Sequence, residues 1–252
     1  MILLKTVDLR KQFGETRACD GLNFVVNKGE FLSLVGSNGA GKTTLVNLIS
    51  AHLQPDSGQI LLEDRDITFT TVTERIKAGI ARSFQIVNLF DALSVFDNVA
   101  LSVFSREGKA VKMARLADHD HDVRRETLEV LGQFRLAGKA TVPAGGLAQG
   151  ERKLLDVAVA YALRPRLLFL DEPTSGVGTR EKAPIMDTIS SVVRSERISA
   201  AIIEHDMDVV FSYADRIVAM HQGTILADGT PDEIRRDQRV LTTLIGTPEA
   251  SA

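Results

Sequence analysis

The sequence predicts an α/β fold with a largely parallel sheet. Short apolar strands alternate with amphipathic helical segments towards both ends of the 252-residue chain, the order in which βαβ units are built. Two stretches, Arg166 to Leu170 and Ile198 to Ile203, read as short, mostly apolar strands of the kind buried on both faces of a parallel sheet. Between the ends, from Ser94 to about Gly138, the pattern becomes helical. There Arg124, Arg125, Glu126 and Glu129 are set among Val123, Leu128, Val130, Leu131 and Phe134. This middle stretch reads as a helical insert that splits the core in sequence.

Taken in order, the N-terminal third is strand-rich. Ile2 to Leu9, Leu22 to Val26, Phe31 to Val35 and Gln59 to Glu63 are the expected strands, punctuated by the turn signals at Lys28-Gly29 and Asp56-Ser57-Gly58. Directly after the third strand, and before the helix-like segment Thr44 to Leu53, Gly36 to Thr43 reads GSNGAGKT. Gly36, Gly39 and Gly41 lack side chains, so the backbone can take positive φ and turn its N–H groups onto phosphate oxygens at the positive end of a helix. Lys42 is placed to reach β and γ phosphates, and the Thr43 hydroxyl to bind Mg²⁺. Nucleoside triphosphate binding is the expectation.

Thr68 to Thr73 reads as a turn and N-cap ahead of Arg75 to Ala78. The run Ile80 to Phe84 leads into Gln85, where the insert begins. Leu147 to Leu163 is a loop followed by a helix, and Leu167 to Glu172 reads LLFLDE, two carboxylates at the end of a buried strand, where open α/β sheets place ligands. Asp171 can hold the Mg²⁺ that bridges the β and γ phosphates, and Glu172 can polarise a water for attack on the γ-phosphorus. The run Asp118, His119, Asp120, His121, Asp122 has metal-ligand residue types but no third cluster to close a site, and reads as solvated helix surface.

Bulk properties exclude other classes. A net charge of −3 offers no basic groove for nucleic acid. The single Cys19 excludes an internal disulfide, and with no N-terminal signal pattern this points to a reducing cytosol. No apolar run approaches the ~20 residues of a membrane helix, so a membrane connection is expected to go through another subunit.

The order of cradle, Gln85, LAQGE at 147–151, LLFLDEP and IIEHD resembles the ATP-binding subunit of ABC transporters over nearly the whole chain. That resemblance implies a P-loop NTPase core with a mainly parallel sheet, an N-terminal antiparallel β subdomain and a helical insert. It implies one domain over 1–252, with core at about 1–85 and 154–235, insert at about 86–153 and tail at 236–252. It implies Mg-ATP hydrolysis with Lys42, Gln85, Glu172 and His205 as the catalytic set. Nucleotide contacts then fall to Phe13, Gly36, Ser37, Asn38, Gly39, Ala40, Gly41, Lys42, Thr43, Thr44, Ala148 and Gly150, and Mg²⁺ ligation to Thr43, Gln85 and Asp171. Phe13 would stack on adenine, with a core phenylalanine as the alternative. His205 would contact the γ-phosphate and the Glu172 side.

The family's signature usually reads LSGGQ and lies against the ATP of the opposite subunit, so a dimer is implied. Here Ala148 lacks the usual hydroxyl, Glu151 puts a negative charge where an amide is usual, and Gly178 takes the place of an acidic or amide residue. GIARSFQ at 79–85 and NLFDALSVFDNV at 88–99 resemble the bacterial importers of branched-chain and other hydrophobic amino acids, urea or amides. The implied partners are membrane permease subunits, a second ATP-binding subunit, identical or homologous, and indirectly a periplasmic substrate-binding protein. The implied location is peripheral, on the cytoplasmic face of the inner membrane. Leu89 and Phe90 are the expected permease contacts, with burial in the insert's own core as the alternative. Other readings are a lipopolysaccharide-export ATPase and a soluble regulatory ATP-binding switch.

Overall fold

The computed structural model describes residues 1–83, 89–107 and 121–245. The strands are β1 (Ile2–Phe13), β2 (Thr16–Leu22), β3 (Val25–Asn27), β4 (Phe31–Gly36), β5 (Ser57–Leu62), β6 (Arg65–Asp66), β7 (Ile80–Arg82), β8 (Leu167–Asp171), β9 (Ser199–Ile203), β10 (Arg216–His221) and β11 (Thr224–Gly229). The helices are α1 (Lys42–Ile49), α2 (Val72–Lys77), α3 (Val95–Arg106), α4 (His121–Gln133), α5 (Gln149–Tyr161), α6 (Thr179–Ser195), α7 (Met207–Tyr213), α8 (Pro231–Arg236) and α9 (Gln238–Val240). Contacts gather these into two compact units, Met1–Arg75 with Ser199–Ala252, and Ile76–Ile198. Residues 154–198, placed with the core on sequence grounds, share the second unit with the helical insert.

In the first unit β1 organises an antiparallel layer with β2, β3 and β5, and β6 pairs on β5. The strand expected from Leu22 to Val26 is two strands. β1 bends at Asp8, whose φ is 45°, so β2 pairs with its outer part and β3 with its first residues. The Thr6 hydroxyl accepts the Phe24 N–H at 2.9 Å where the chain passes from one ladder to the other. β1 also runs past Leu9 to Phe13, because Arg10 and Lys11 project to Asp20 and Asp56, at 2.6 and 2.7 Å, instead of breaking the strand.

The same unit holds β10, β4 and β9 as parallel neighbours, with β11 returning antiparallel along β10. The β10–β11 hairpin escaped sequence reading because β10 is buried throughout its middle and shows no alternation. Val35, Val210, Ile217, Ala219, Ile234 and Val240 form one apolar cluster with Leu244 packed against it, so Val240 and Leu244 tie the start of the tail to this core. Thr71 caps α2 as expected: its hydroxyl accepts the Glu74 N–H at 3.3 Å, and the Glu74 carboxylate accepts the Thr71 N–H at 2.7 Å. Arg75 on that helix is fully buried and donates to the carbonyls of Ile49 and Thr68 and to the Thr70 hydroxyl. Burial brings its pKa down to about 10, and its guanidinium neutralises the carbonyl end of α1.

In the second unit β7 and β8 are parallel, with Ile80 opposite Leu167 and Arg82 opposite Phe169. α3 starts on a reciprocal Ser94–Asp97 cap. Val99, Val103, Phe104, Val123, Val130, Leu131 and Leu155 are buried residues of α3, α4 and α5. Glu126 binds Arg106 at 2.6 Å and Arg164 at 2.7 Å.

Candidate functional site

The first unit carries the segment expected to bind phosphate. β4 is buried up to Val35, so the chain emerges at Gly36 at the C-terminal edge of the parallel strands, and α1 begins at Lys42. A Cβ on Gly36 would lie 2.4 Å from the Met220 carbonyl, and one on Gly41, at φ 102°, would lie 2.2 Å from the Ala18 carbonyl. The loop is therefore pressed onto β10 and β2 by its backbone, which only glycine permits at these two positions. Gly41 is the N-cap of α1 and supplies no side-chain acceptor, and no acidic residue sits in the first turn. No side chain of the cap or first turn brings a negative charge to the start of α1, where an anion is favoured.

Lys42 is buried and its ammonium donates to the carbonyls of Gly36, at 2.7 Å, and Ser37, at 3.1 Å, across its own loop. Ser37, Asn38, Gly39 and Thr43 are exposed, Thr44 is half-buried and Ala40 is buried. Leu34 pairs with Ile203, so His205, two residues beyond Ile203, follows β9 at the edge where Gly36 follows Leu34. His205 is exposed, and Asp206 caps α7 behind it. Phe13 closes the β1–β2 hairpin opposite Thr16 and is 48% exposed, with the Lys11 ammonium 5.6 Å from its ring centre. A ring in that position is presented to solvent and can stack; it is not a core side chain.

The second unit carries the carboxylates. Every residue of β8 is buried, and at its end Asp171 is gripped by Arg82, Nη2 to Oδ2 2.7 Å, with side-chain exposures of 5% and 8%. Glu172 follows at φ 48°, a left-handed conformation that costs a non-glycine residue about 1–3 kcal/mol. Its carbonyl accepts the Ser175 N–H at 3.1 Å and the Lys153 ammonium at 3.1 Å, and Lys153 also donates to the Ser175 hydroxyl at 2.9 Å.

Ala148 is the N-cap of α5 and has no side-chain acceptor, while the Glu151 carboxylate accepts the Ala148 N–H at 3.1 Å and lies 3.4 Å from the Lys139 ammonium. The negative charge at 151 is thus tied back to its own helix start. Gly150 is half-buried, and a Cβ there would meet Ile185 at 3.2 Å. At Gly178, the N-cap of α6, the Glu181 carboxylate accepts the backbone N–H at 3.2 Å.

Gln85 lies outside the described residues, as do Asp118, His119 and Asp120. His121 and Asp122 open α4, and Asp122 pairs with Arg125 at 2.7 Å. Among the described residues no cluster of three potential metal-ligating side chains occurs. Phe90 is 62% exposed and Leu89 half-buried, and Asn98 pins their turn by accepting the Phe90 N–H at 2.9 Å. Sequence reasoning missed Arg82 and Lys153. Nothing local marks either one, because each acts on a partner brought near only by folding.

Chemically, the two units offer different things. The first has backbone donors, an ammonium and a hydroxyl for a polyphosphate. The second has carboxylates for a divalent cation and for water. A carboxylate, a hydroxyl and an amide are hard oxygen donors of the kind Mg²⁺ takes. Asp171, nearly fully buried and matched by a guanidinium, shows that the second unit holds a positive charge at that carboxylate.

A family profile described as ABC transporter matches residues 19–175. The chain is similar to LivG of Escherichia coli K12, a high-affinity branched-chain amino acid transport ATP-binding protein, with 31% identity over 252 residues. It is similar also to BraF of Pseudomonas aeruginosa, of the same description, with 30% identity over 249 residues. Both alignments cover 97% of this chain and 98% of the relative. Among solved structures it is similar to an ATP-binding cassette of an ABC transporter in the ADP conformation, with a TM-score of 0.87 and 28% identity over 98% of this chain and 99% of that one.

Proposed function

The chain belongs to the ABC transporter family as an ATP-binding and ATP-hydrolysing subunit, and from that premise we propose that it powers a bacterial importer of branched-chain or related hydrophobic amino acids, urea or amides through a separate permease. The observation that carries the amino-acid reading is the end-to-end likeness to LivG and BraF. Among the described residues no helix is long and apolar enough to cross a membrane, in keeping with a peripheral place on the cytoplasmic face, held there by the permease. The exposed Phe90 and its neighbour Leu89 are the proposed permease contacts.

In this reading the N–H groups of Gly36 to Thr44 and the Lys42 ammonium bind the phosphates, while Phe13 stacks on adenine. Thr43, Gln85 and Asp171 would hold Mg²⁺, which when bound would supply neutralisation of phosphate charge. Glu172 takes a proton from the attacking water, and His205 contacts the γ-phosphate. The segment from Ala148 to Gly150 serves the nucleotide of a second subunit, so the working unit is a dimer.

Two variants test the roles together. Lys42→Ala loses ATP affinity, by roughly tenfold to a hundredfold for a charge-assisted contact. Glu172→Gln keeps ATP affinity while turnover falls by ~10² or more, and it runs as a dimer with ATP and as a monomer without. Wild-type turnover in Glu172→Gln removes the base assignment, and a monomer at saturating ATP removes the shared site. Vesicles holding the cognate permease should take up radiolabelled leucine with the parent subunit and not with Glu172→Gln; uptake of urea alone removes the amino-acid reading and leaves the urea and amide one.

A further inference from the structure

We propose that Lys153 is the positioning residue of the hydrolysis step, its ammonium holding the turn after β8 so that the Glu172 carboxylate is presented in one direction. The inference rests on the reading of Glu172 as the general base. Lys153 lies in the second turn of α5, only 4% exposed, and its chain passes through the unit interior to the end of β8. There it donates to the Glu172 carbonyl and to the Ser175 hydroxyl.

The need for an anchor comes from the backbone. Glu172 sits at φ 48°, where a side chain is strained, and such a residue keeps its conformation only when its surroundings over-determine it. Its carbonyl oxygen has two lone pairs, and both have donors: the Ser175 N–H closes the turn, and Lys153 reaches in from another element. The Ser175 N–H is part of the same loop and moves with it. Lys153 belongs to a helix and does not.

The same two elements approach each other at Gly176. A Cβ on Gly176 would meet Gln149 Nε2 at 3.5 Å, so the first turn of α5 lies against the loop one residue past Ser175. The loop is therefore referenced to the helix that opens with the signature segment. A misplacement of a reacting group by about 1 Å is enough to cost ~10² in rate, which is the scale of control that such an anchor exerts.

The test compares Lys153→Met, which removes the donor, with Lys153→Gln, which keeps a donor on a chain of the same length as methionine, one atom shorter than lysine. Under the proposal kcat falls about tenfold to a hundredfold in Lys153→Met and less in Lys153→Gln, while KM for ATP and nucleotide affinity stay within about twofold. In a Glu172→Gln background, adding Lys153→Met lowers turnover by less than about twofold, because the group it positions is already gone. Should Lys153→Met not fold, Lys153→Gln decides: kcat reduced about threefold or more at unchanged KM supports the role, and kcat within twofold of the parent overturns it. Parallel losses of Tm, affinity and kcat, or a full additional loss in the Glu172→Gln background, also overturn it by making Lys153 merely structural. Full activity of Glu172→Gln alone refutes the base assignment instead, a separate outcome.

Discussion

In the first unit the proposed phosphate-binding groups come from the backbone of one short segment, Gly36 to Thr43, and even the Lys42 ammonium rests on carbonyls of its own loop. In the second unit the carboxylates are steadied by side chains far away in sequence: Arg82 reaches Asp171 across 89 positions and Lys153 reaches the Glu172 carbonyl across 19. The contrast follows from the charge each region has to manage. Backbone N–H groups carry fixed partial charges and lie in water-facing loops at little desolvation cost, so a polyphosphate can be held without long-range partners. A carboxylate at the end of a buried strand is a full charge in a poorly hydrated place, and it is tolerable only with a countercharge supplied by the fold.

The comparison is broken most directly at Arg82. Removing one partner of a buried pair leaves the other charge uncompensated, so Arg82→Met is expected to destabilise the protein by about 3–5 kcal/mol. Urea denaturation measures it, and Mg²⁺ with ATP should recover part of the loss by restoring positive charge at Asp171. A loss below 1 kcal/mol would mean that the second unit does not depend on the distant partner.

A smaller effect is expected at Gly41. Gly41→Ala sets a side chain at φ 102° and 2.2 Å from the Ala18 carbonyl, so strain of about 1–3 kcal/mol should appear in thermal denaturation. ATP affinity should fall with it, because the same peptide starts α1. Unchanged affinity would show that the loop can leave β2 without losing its donors.

The smallest effect sharpens the contrast at the signature segment. Glu151→Ala removes the acceptor of the Ala148 N–H and the partner of Lys139, worth about 0.5–1 kcal/mol for half a helix cap and a solvent-screened ion pair. A drop of Tm by a few degrees with ATP affinity unaltered is the expected readout. A larger loss would mean that the start of α5 depends on side chains as strongly as Asp171 does.

The parallel strands and the cradle were legible in the sequence. Phe31 to Val35 and 198–203 became β4 and β9, and the chain leaves β4 into α1 through the glycine segment. The expected strand at Leu22 to Val26 failed because the bend at Asp8 and the Thr6 hydroxyl divide it, and neither effect has a hydrophobic signature. The exposure of Phe13 and Phe90, each left open between two readings, depends on what packs nearby and not on residue type.

By itself the sequence determined the α/β class, the glycine-rich segment proposed to bind phosphate and the carboxylate pair at the end of β8, because each is written in consecutive residues whose φ preferences, polarity and period act locally. The tertiary structure decided which distant cations attend the Asp171 carboxylate and the Glu172 carbonyl, that Arg75 caps α1 from inside the core, and that residues 154–198 pack with the helical insert. Those outcomes depend on which strands and helices become neighbours. A charge buried by folding finds its partner among whatever the fold places within reach, and that is a property of the packed chain rather than of any stretch of it.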